Sequence, residues 1–141
     1  VPDVDTDATL LCTPHQGELR GMGGETADEW RTRAELVSEF AADLGHLLLV
    51  KGPYDIVTDG VETRINRTGN AAMTVGGTGD VLAGATGALA CVLAPRHAAS
   101  VAAYATGRAG DAAAEERDRG LVETDLLGRL PAALQDQEVD G

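Results

Sequence analysis

The sequence predicts an α/β protein in which helices pack on a sheet. Two short apolar runs, residues 9–12 and 47–50, have the length and composition of strands buried on both faces. Between these runs the apolar residues recur at helical spacing. After them, Asp59-Gly60 separates two further strand-like segments, which is the strongest short hairpin signal. The order strand, helix, strand, hairpin and helices is typical of an α/β layer.

The first predicted strand leads into a loop that carries polar residues. Pro14 stops the apolar run, so His15, Gly17 and Glu18 are expected on a loop at the C-terminal end of the strand. A lone histidine is more often structural than catalytic, but His15 has polar neighbours at the same edge of the sheet.

A helix is predicted between the two strands. Thr26 and Glu29 match the Thr-x-x-Glu pattern of a capping box, and apolar residues recur near every 3.6 positions until Gly45. The second strand follows as a parallel partner of the first. Residues 54–58 and 61–65 are then expected to form the antiparallel hairpin.

The rest of the chain is predicted to be mainly helical. Residues 80–93 carry almost no charge, which indicates a helix buried nearly all round. Pro95 opens a long helix whose small residues allow very close packing, and Gly120 ends it. A last helix is expected to be capped by Thr124 and to be kinked or restarted by Pro131.

Composition excludes several classes of function. The chain has 141 residues with 23 acidic and 11 basic side chains, and its formal net charge of -12 argues against nucleic acid as a partner. No apolar run approaches the length of a membrane span. The two cysteines lie far apart, without a CxxC pair or a secretory signal. We therefore predict a cytoplasmic protein with neither a membrane nor a nucleic-acid partner.

The basic residues are unusual, because Lys51 is the one lysine and all the other bases are arginine. An acidic, lysine-poor surface suits a salt-rich cytoplasm, where ions screen the self-repulsion of the chain. We therefore favour a protein from a halophilic organism. The alternative is an acidic protein from an organism with a GC-rich genome.

A glycine-rich stretch, "NAAMTVGGTGDVLAGATGALA", joins the predicted loop at residues 66–77 to the helix that follows. Gly76, Gly77 and Gly79 can turn their N–H groups toward an anion at the helix N-terminus. Asp80 stands where a P-loop would have lysine, and a dinucleotide-binding GxGxxG would directly follow a strand. The alternative is a tight turn into a helix with no ligand.

Asp80 and Lys51 are candidate functional residues. A helix N-terminus favours the ionised carboxylate of Asp80, which beside a bound phosphate can accept the proton of an attacking hydroxyl. Lys51 directly follows the second strand, where sheets of this type place ligands, and it offers a compact charge to a phosphate. The alternatives are an acid that stabilises its helix and an exposed base at a strand end.

Three segments in order, "TPHQGEL", "LVKGPYDIVTDG" and "GNAAMTVGGTGDVLAGATGAL", closely resemble the ADP-dependent NAD(P)H-hydrate dehydratases of the ribokinase-like superfamily. The closing "ETDLLGRLPAAL" is also similar, so the resemblance runs over residues 9–134. It implies a ribokinase-like layered sheet flanked by helices. Because the family domain is considerably longer, residues 1–141 are expected to be its C-terminal part, and to be inactive when isolated.

The resemblance also implies an activity, the repair of damaged nicotinamide cofactors. The family dehydrates (S)-NADHX and (S)-NADPHX, hydrates of the reduced nicotinamide ring, to NADH and NADPH at the expense of ADP (or ATP). The ring hydroxyl is phosphorylated and phosphate is then eliminated, with Mg²⁺ assisting. An upstream NAD(P)H-hydrate epimerase domain is a further expectation, and an exposed sheet edge would favour a homo-oligomer.

The resemblance assigns roles to particular residues. Asp80 would be the catalytic base and would also touch the hydrate, and His15 would line the hydrate pocket. The residues expected to contact the AMP portion of the nucleotide are Lys51, Gly52, Pro53, Tyr54, Asp55 and Gly79. The anion hole is expected to consist of Gly77, Thr78 and Gly79. It assigns no metal ligand.

Two other functions stay open. A kinase of the same superfamily, acting on a hydroxymethylpyrimidine, a thiazole alcohol or a sugar, would use Asp80 and the glycine loop in the same way. The segment "TPHQGE" favours the dehydratase. The second alternative is a non-catalytic fragment that binds nucleotide.

Overall fold

The computed structural model describes residues 4–139, without the side chains of residue 118 and residues 136–139. The ends of the predicted domain, residues 1–3 and 140–141, lie outside the described residues. The contacts divide the chain into two compact units, one up to Asn66 and one from Arg67 onward. Within residues 4–139, no helix has both the length and the apolar character needed to cross a membrane.

A mixed four-stranded sheet forms the centre of the first unit. Its strands are β1 (Leu11–Cys12), β2 (Leu47–Val50), β3 (Asp55–Thr58) and β4 (Thr63–Asn66), and they lie side by side in that order. β1 and β2 are parallel, whereas β2, β3 and β4 run antiparallel to one another. The predicted α/β class, the buried second strand and the hairpin are confirmed. The first strand is shorter than the predicted residues 9–12, and it is half-buried because it lies at the edge of the sheet.

The hairpin turn is longer than the two residues expected, because one side chain organises it. The Asp59 Oδ1 atom accepts the N–H groups of Val61 and Glu62, both at 2.9 Å. Gly60 has a φ of 89°, and a Cβ built there would lie 2.6 Å from the Ala42 backbone. The turn therefore packs on the backbone of the helix that contains Ala42. The fourth strand begins at Thr63, two positions later than predicted.

Two helices complete the first unit, α1 (Gln16–Gly21) and α2 (Trp30–Leu44). The first was expected to be loop, and that prediction is wrong. The second ends at Gly45, whose φ of 75° is the left-handed value that favours glycine, as predicted. The core of the unit is formed where the two helices pack on one face of the sheet; its buried members are Leu19, Val37, Ala41, Leu48, Val50 and Ile56.

The predicted capping box at Thr26 is also wrong. The N-cap of α2 is Glu29, whose Oε2 atom accepts the Thr32 N–H at 2.8 Å. The Thr26 hydroxyl instead donates to the Gln16 Oε1 atom at 2.7 Å. Thr26 therefore connects the segment before α2 to α1.

The second unit consists of helices. They are α3 (Thr78–Ala90), α4 (Pro95–Arg117), α5 (Glu123–Leu127) and α6 (Leu130–Val139), with 3₁₀ turns at Ala71–Met73 and Asp118–Gly120. Pro95 begins α4 as predicted, but α4 ends at Arg117, before the predicted Gly120, and the second 3₁₀ turn occupies the residues from there to that glycine. α6 has Pro131 at its second position, so the restart is confirmed, as Pro is well tolerated in a first turn.

The contacts of α3 and α5 differ from prediction. α3 is buried through Val81, Leu82 and Thr86, and it is not buried nearly all round as predicted. Its exposed residues include Ala83, Gly84, Gly87, Ala88 and Ala90. Thr124 lies inside α5 instead of capping it, and the Val122 N–H donates to the Asp125 carboxylate at 3.0 Å.

The small residues of α4 allow the close approach that was predicted. A Cβ on Gly107 would lie 2.0 Å from the Thr68 hydroxyl, and one on Gly110 would lie 2.2 Å from the Met73 sulfur. The loop before α3 therefore lies directly on the α4 backbone. The Asp111 carboxylate, one residue further on, accepts the Gly69 N–H at 3.1 Å and fixes the start of the loop.

Candidate functional site

His15 and Lys51 lie side by side at the C-terminal edge of the parallel strands. The two residues form a parallel β-bridge beyond the ends of β1 and β2, and the Lys51 N–H donates to the Pro14 carbonyl at 2.9 Å. Each residue was predicted to follow the C-terminal end of its own strand, and both positions are confirmed. The two residues share one edge of the sheet because parallel strands end at the same edge.

His15 is the N-cap of α1 and takes part in a reciprocal capping box. Its Nδ1 atom accepts the Glu18 N–H at 3.1 Å, while the Glu18 Oε2 atom accepts the His15 N–H at 2.8 Å. The sequence "HQGE" therefore encodes a helix start in which histidine takes the place usually held by serine or threonine.

Glu18 connects this cap to Lys51. Its Oε2 atom lies 3.9 Å from the Lys51 Nζ atom, and its Oε1 atom lies 3.6 Å from the His15 Nε2 atom. The hydrogen bond from the His15 backbone lowers the pKa of Glu18 below its usual value, with smaller contributions from the charge of Lys51 and from the imidazole. The acid thus partly neutralises the lysine at this edge of the sheet.

The segment after Lys51 is folded back on Asp55. The Asp55 Oδ1 atom accepts the Gly52 N–H at 3.2 Å, and its Oδ2 atom accepts the Asn66 amide at 2.9 Å. Burial raises the pKa of Asp55, and the two hydrogen bonds and the nearby Lys51 charge oppose that rise. Asp55 therefore shapes the segment with both of its oxygens.

Three of the residues predicted to contact the nucleotide lie between Lys51 and Asp55. Gly52 and Pro53 are exposed, which leaves their surface accessible to a ligand. Tyr54 is half-buried, and its ring packs edge-on against Trp30 with centroids 5.7 Å apart.

The remaining predicted residues lie at the N-terminus of α3. Gly77 is the N-cap, and its φ of 91° is a value that side chains rarely adopt. The Thr78 hydroxyl donates to the carbonyls of Met73 and Val75 at 3.0 and 3.1 Å, so it holds the loop and does not point a donor at a ligand. The N–H groups of Thr78 and Gly79 are in the first turn, where a helix has no acceptor of its own for them.

Asp80 is exposed at the third position of α3, and its N–H donates to the Gly77 carbonyl at 3.1 Å. The expected arrangement, a glycine loop entering a helix with an acid in its first turn, is confirmed. The carboxylate opens onto a groove of about 390 Å³ within the second unit. The residues lining this groove are Gly77, Asp80, Val81, Gly84, Ala85, Glu123, Leu127 and Leu130.

Glu123 is a groove residue that sequence reasoning missed. A Cβ added to Gly77 would lie 2.7 Å from the Glu123 Cγ atom, so this side chain fills the space that the glycine leaves. The sequence gives little sign of this role, because the packing of α5 against α3 is what brings Glu123 close to Gly77.

The groove residues fit Mg²⁺ by the chemistry of their donors. Glu123 supplies carboxylate oxygens, which are the ligands that this ion prefers, and the Asp80 carboxylate on the same groove is the one expected to act as a base. Among the described residues, no cluster of three or more acids, histidines or cysteines could hold a metal. A magnesium ion here would therefore depend on phosphate oxygens and water for most of its coordination.

These features define a class of protein. A mixed sheet with polar residues at its C-terminal edge, and a glycine loop that opens a helix with an acid in its first turn, are those of a ribokinase-like α/β protein. A solved structure supports the class, an ADP/ATP-dependent NAD(P)H-hydrate dehydratase from Bacillus subtilis co-crystallised with ATP and Mg²⁺. It aligns with a TM-score of 0.81 and 30% identity, over 91% of this chain and 48% of that one.

The family model for NAD(P)H-hydrate dehydratase matches residues 4–132, and the chain belongs to this family. It is 42% identical over 134 residues to the bifunctional NAD(P)H-hydrate repair enzyme Nnr of Pyrobaculum aerophilum, covering 94% of this chain and 27% of that protein. It is also 42% identical over 127 residues to the ADP-dependent (S)-NAD(P)H-hydrate dehydratase of Cenarchaeum symbiosum, covering 89% and 44%. The chain thus spans less than half the length of these two relatives.

Proposed function

We propose that this chain is the C-terminal part of an enzyme that dehydrates (S)-NADHX and (S)-NADPHX to NADH and NADPH at the expense of ADP or ATP. The observation that carries the proposal is Asp80, exposed in the first turn of α3 directly after the glycine loop. Membership of the dehydratase family supports it.

The anion hole acts through the backbone. The N–H groups of Gly77, Thr78 and Gly79 bind the phosphate that is transferred, and the positive end of the helix dipole offsets its charge. Repulsion between this phosphate and the Asp80 carboxylate is reduced by the same N–H groups. When bound, Mg²⁺ would neutralise further phosphate charge.

Asp80 accepts the proton of the ring hydroxyl as the hydroxyl oxygen attacks phosphorus, and the bond from phosphorus to the leaving nucleotide breaks. In the second step the carbon–oxygen bond breaks, and phosphate leaves with the electron pair. Loss of a ring proton then restores the double bond of the dihydronicotinamide.

The other site residues bind the reactants. His15 lines the pocket for the hydrate, and Lys51 supplies a positive charge to the nucleotide. The AMP portion is contacted by Gly52, Pro53, Tyr54, Asp55 and Gly79. These assignments follow the family resemblance, and the bridge between His15 and Lys51 supports the first two.

The test is to supply NADHX, ADP and Mg²⁺ and to follow the absorbance of NADH. The chain is assayed alone and within the full-length protein, and we expect turnover only from the full-length protein. A stable phosphorylated product without NADH would instead indicate a small-molecule kinase. Nucleotide binding without any product would indicate a non-catalytic role.

We further propose a cytoplasmic homo-oligomer that is joined to an upstream epimerase domain. β1 and β4 are the edge strands of the sheet, and such edges favour pairing with a second copy. The Pyrobaculum relative is named as bifunctional, which supports a second activity in the same polypeptide. Light scattering of the full-length protein tests the oligomeric state, and an epimerase assay tests the fusion.

A further inference from the structure

The imidazole of His15 is held in one orientation by its own helix. A Cβ added to Gly17 would lie 2.9 Å from the His15 Cε1 atom and 3.2 Å from its Nδ1 atom, so the ring lies over the space that this glycine leaves open. The backbone of the histidine is fixed as well, by its hydrogen bond to Glu18 and by its bridge to Lys51.

The same contacts determine which ring nitrogen carries hydrogen. The Nδ1 atom accepts the Glu18 N–H at 3.1 Å, and a nitrogen that accepts a hydrogen bond cannot itself bear hydrogen. The neutral ring therefore carries its hydrogen on Nε2. A protonated ring would place an Nδ1–H group against the Glu18 N–H, two donors facing each other.

We propose that Gly17 and Glu18 are positioning residues that make His15 a hydrogen-bond donor, through Nε2–H, to a carbonyl or hydroxyl oxygen of the substrate. His15 is then a binding residue and does not serve as the proton acceptor of the reaction. The identity of the substrate rests on the proposed function. A nicotinamide hydrate carries oxygens of both kinds, in its carboxamide and its ring hydroxyl.

The surroundings of Glu18 agree with this role. Its Oε1 atom lies 3.6 Å from His15 Nε2, which is too far for a hydrogen bond, so the Nε2–H group keeps its donor capacity for a ligand. Its Oε2 atom accepts the His15 N–H at 2.8 Å and also lies 3.9 Å from Lys51 Nζ. Glu18 therefore orients the ring without serving as its acceptor.

The first test measures the tautomer directly, by long-range ¹⁵N–¹H correlation NMR of the full-length protein labelled at histidine. We expect hydrogen on Nε2 in the wild type and in Glu18→Gln, because glutamine retains an acceptor for the His15 N–H. Gly17→Ala pushes the ring from its place and should give a mixture of tautomers. Gly21→Ala, in the same helix with nothing within 4 Å of the added Cβ, is the matched control. Hydrogen on Nδ1 in the wild type, or an unchanged spectrum in Gly17→Ala, would overturn the proposal.

The second test separates a donor from a base in the same protein. His15→Gln keeps an N–H donor of similar reach but cannot accept a proton. We expect this variant to retain about fivefold to tenfold more kcat/KM than His15→Ala, with the difference in KM. Equal losses in the two variants would exclude the donor role. A protein with the expected tautomer and no turnover of NADHX would contradict the proposed function, while the NMR result would still support the positioning role.

Discussion

At the scale of single residues, Asp80 is the group on which the proposed chemistry depends. In the full-length enzyme, Asp80→Asn should reduce turnover by about 10² to 10⁴, because the amide cannot accept the hydroxyl proton. ADP binding should be retained, since the loop N–H groups remain. Steady-state kinetics and calorimetric titration with ADP measure the two effects.

Glu39→Gln is the control for loss of a negative charge, because this exposed glutamate lies on α2. It should leave both turnover and ADP affinity unchanged. If Asp80→Asn turned over at nearly the wild-type rate, the assignment of Asp80 as the base would be wrong.

Asp55 gives a prediction on pH dependence. Because burial raises its pKa in the folded protein, the folded state binds more protons than the unfolded state between the unfolded and folded pKa values. The free energy of unfolding should therefore fall as the pH rises through this window, and the loss should be complete above the folded pKa. Denaturant unfolding of the chain and of Asp55→Asn, compared across acidic pH, measures it.

The variant lacks the titrating carboxylate, so its stability should not show this fall. Glu18 acts in the opposite direction, because its lowered pKa means that its stabilising bond is lost as the pH drops through its folded pKa. A fall in stability of equal size in Asp55→Asn would show that another group is responsible.

At the scale of elements, the close packing of α4 against the loop before α3 gives a prediction about stability. Gly107→Ala would place a methyl group 2.0 Å from the Thr68 hydroxyl and against the Thr68 backbone, which has little freedom to move. We expect a loss of about 1 to 3 kcal/mol in the free energy of unfolding, the usual range for overpacking. Chemical denaturation measures it.

Gly87→Ala is the matched control, since it is a helical glycine on the exposed face of α3 with nothing within 4 Å of the added Cβ. It should stabilise the protein by about 0.5 to 1 kcal/mol, because alanine loses less backbone entropy in a helix. Equal effects of the two substitutions would mean that the loop is able to move away from α4.

The elements were predictable where apolar spacing alone determines them. The buried second strand, the hairpin and the long helix at Pro95 follow from periodicity and turn residues, whereas the first strand was predicted to be buried and is only half-buried. The helix caps were less predictable, because two different residues could cap each helix. At α2 the Glu29 carboxylate accepts the capping hydrogen bond instead of Thr26. At α5 the Asp125 carboxylate does so instead of Thr124. The short helix α1 was missed because two of its six residues are glycine.

The site was predictable only in part, for a similar reason. His15 and Lys51 could be placed at one edge because parallel strands end together, and the glycine loop is contiguous in sequence. Glu123 could not be placed, since its proximity to Gly77 arises from the packing of α5 against α3. The Nδ1 contact of His15 was also hidden, because it depends on a helix that was not predicted.

At the scale of the whole molecule, the formal net charge of -12 leads to a prediction about salt. We predict that the thermal midpoint of unfolding rises steadily between 0.1 and about 2 M KCl, because the ions screen repulsion among the acids. Scanning fluorimetry in KCl measures it, with glycerol as a control for non-ionic stabilisation. A midpoint that is independent of KCl would favour the GC-rich genome over salt adaptation.

The bridge between His15 and Lys51 limits how the site can change in evolution. The distance between their backbones is set by the hydrogen bonding of the sheet, since paired strands lie about 4.8 Å apart whatever side chains they carry. Insertions in the surrounding loops would leave this spacing intact. A relative with a different substrate could carry other residues at positions 15 and 51. It could increase the distance between these two positions only by losing the pairing of β1 with β2.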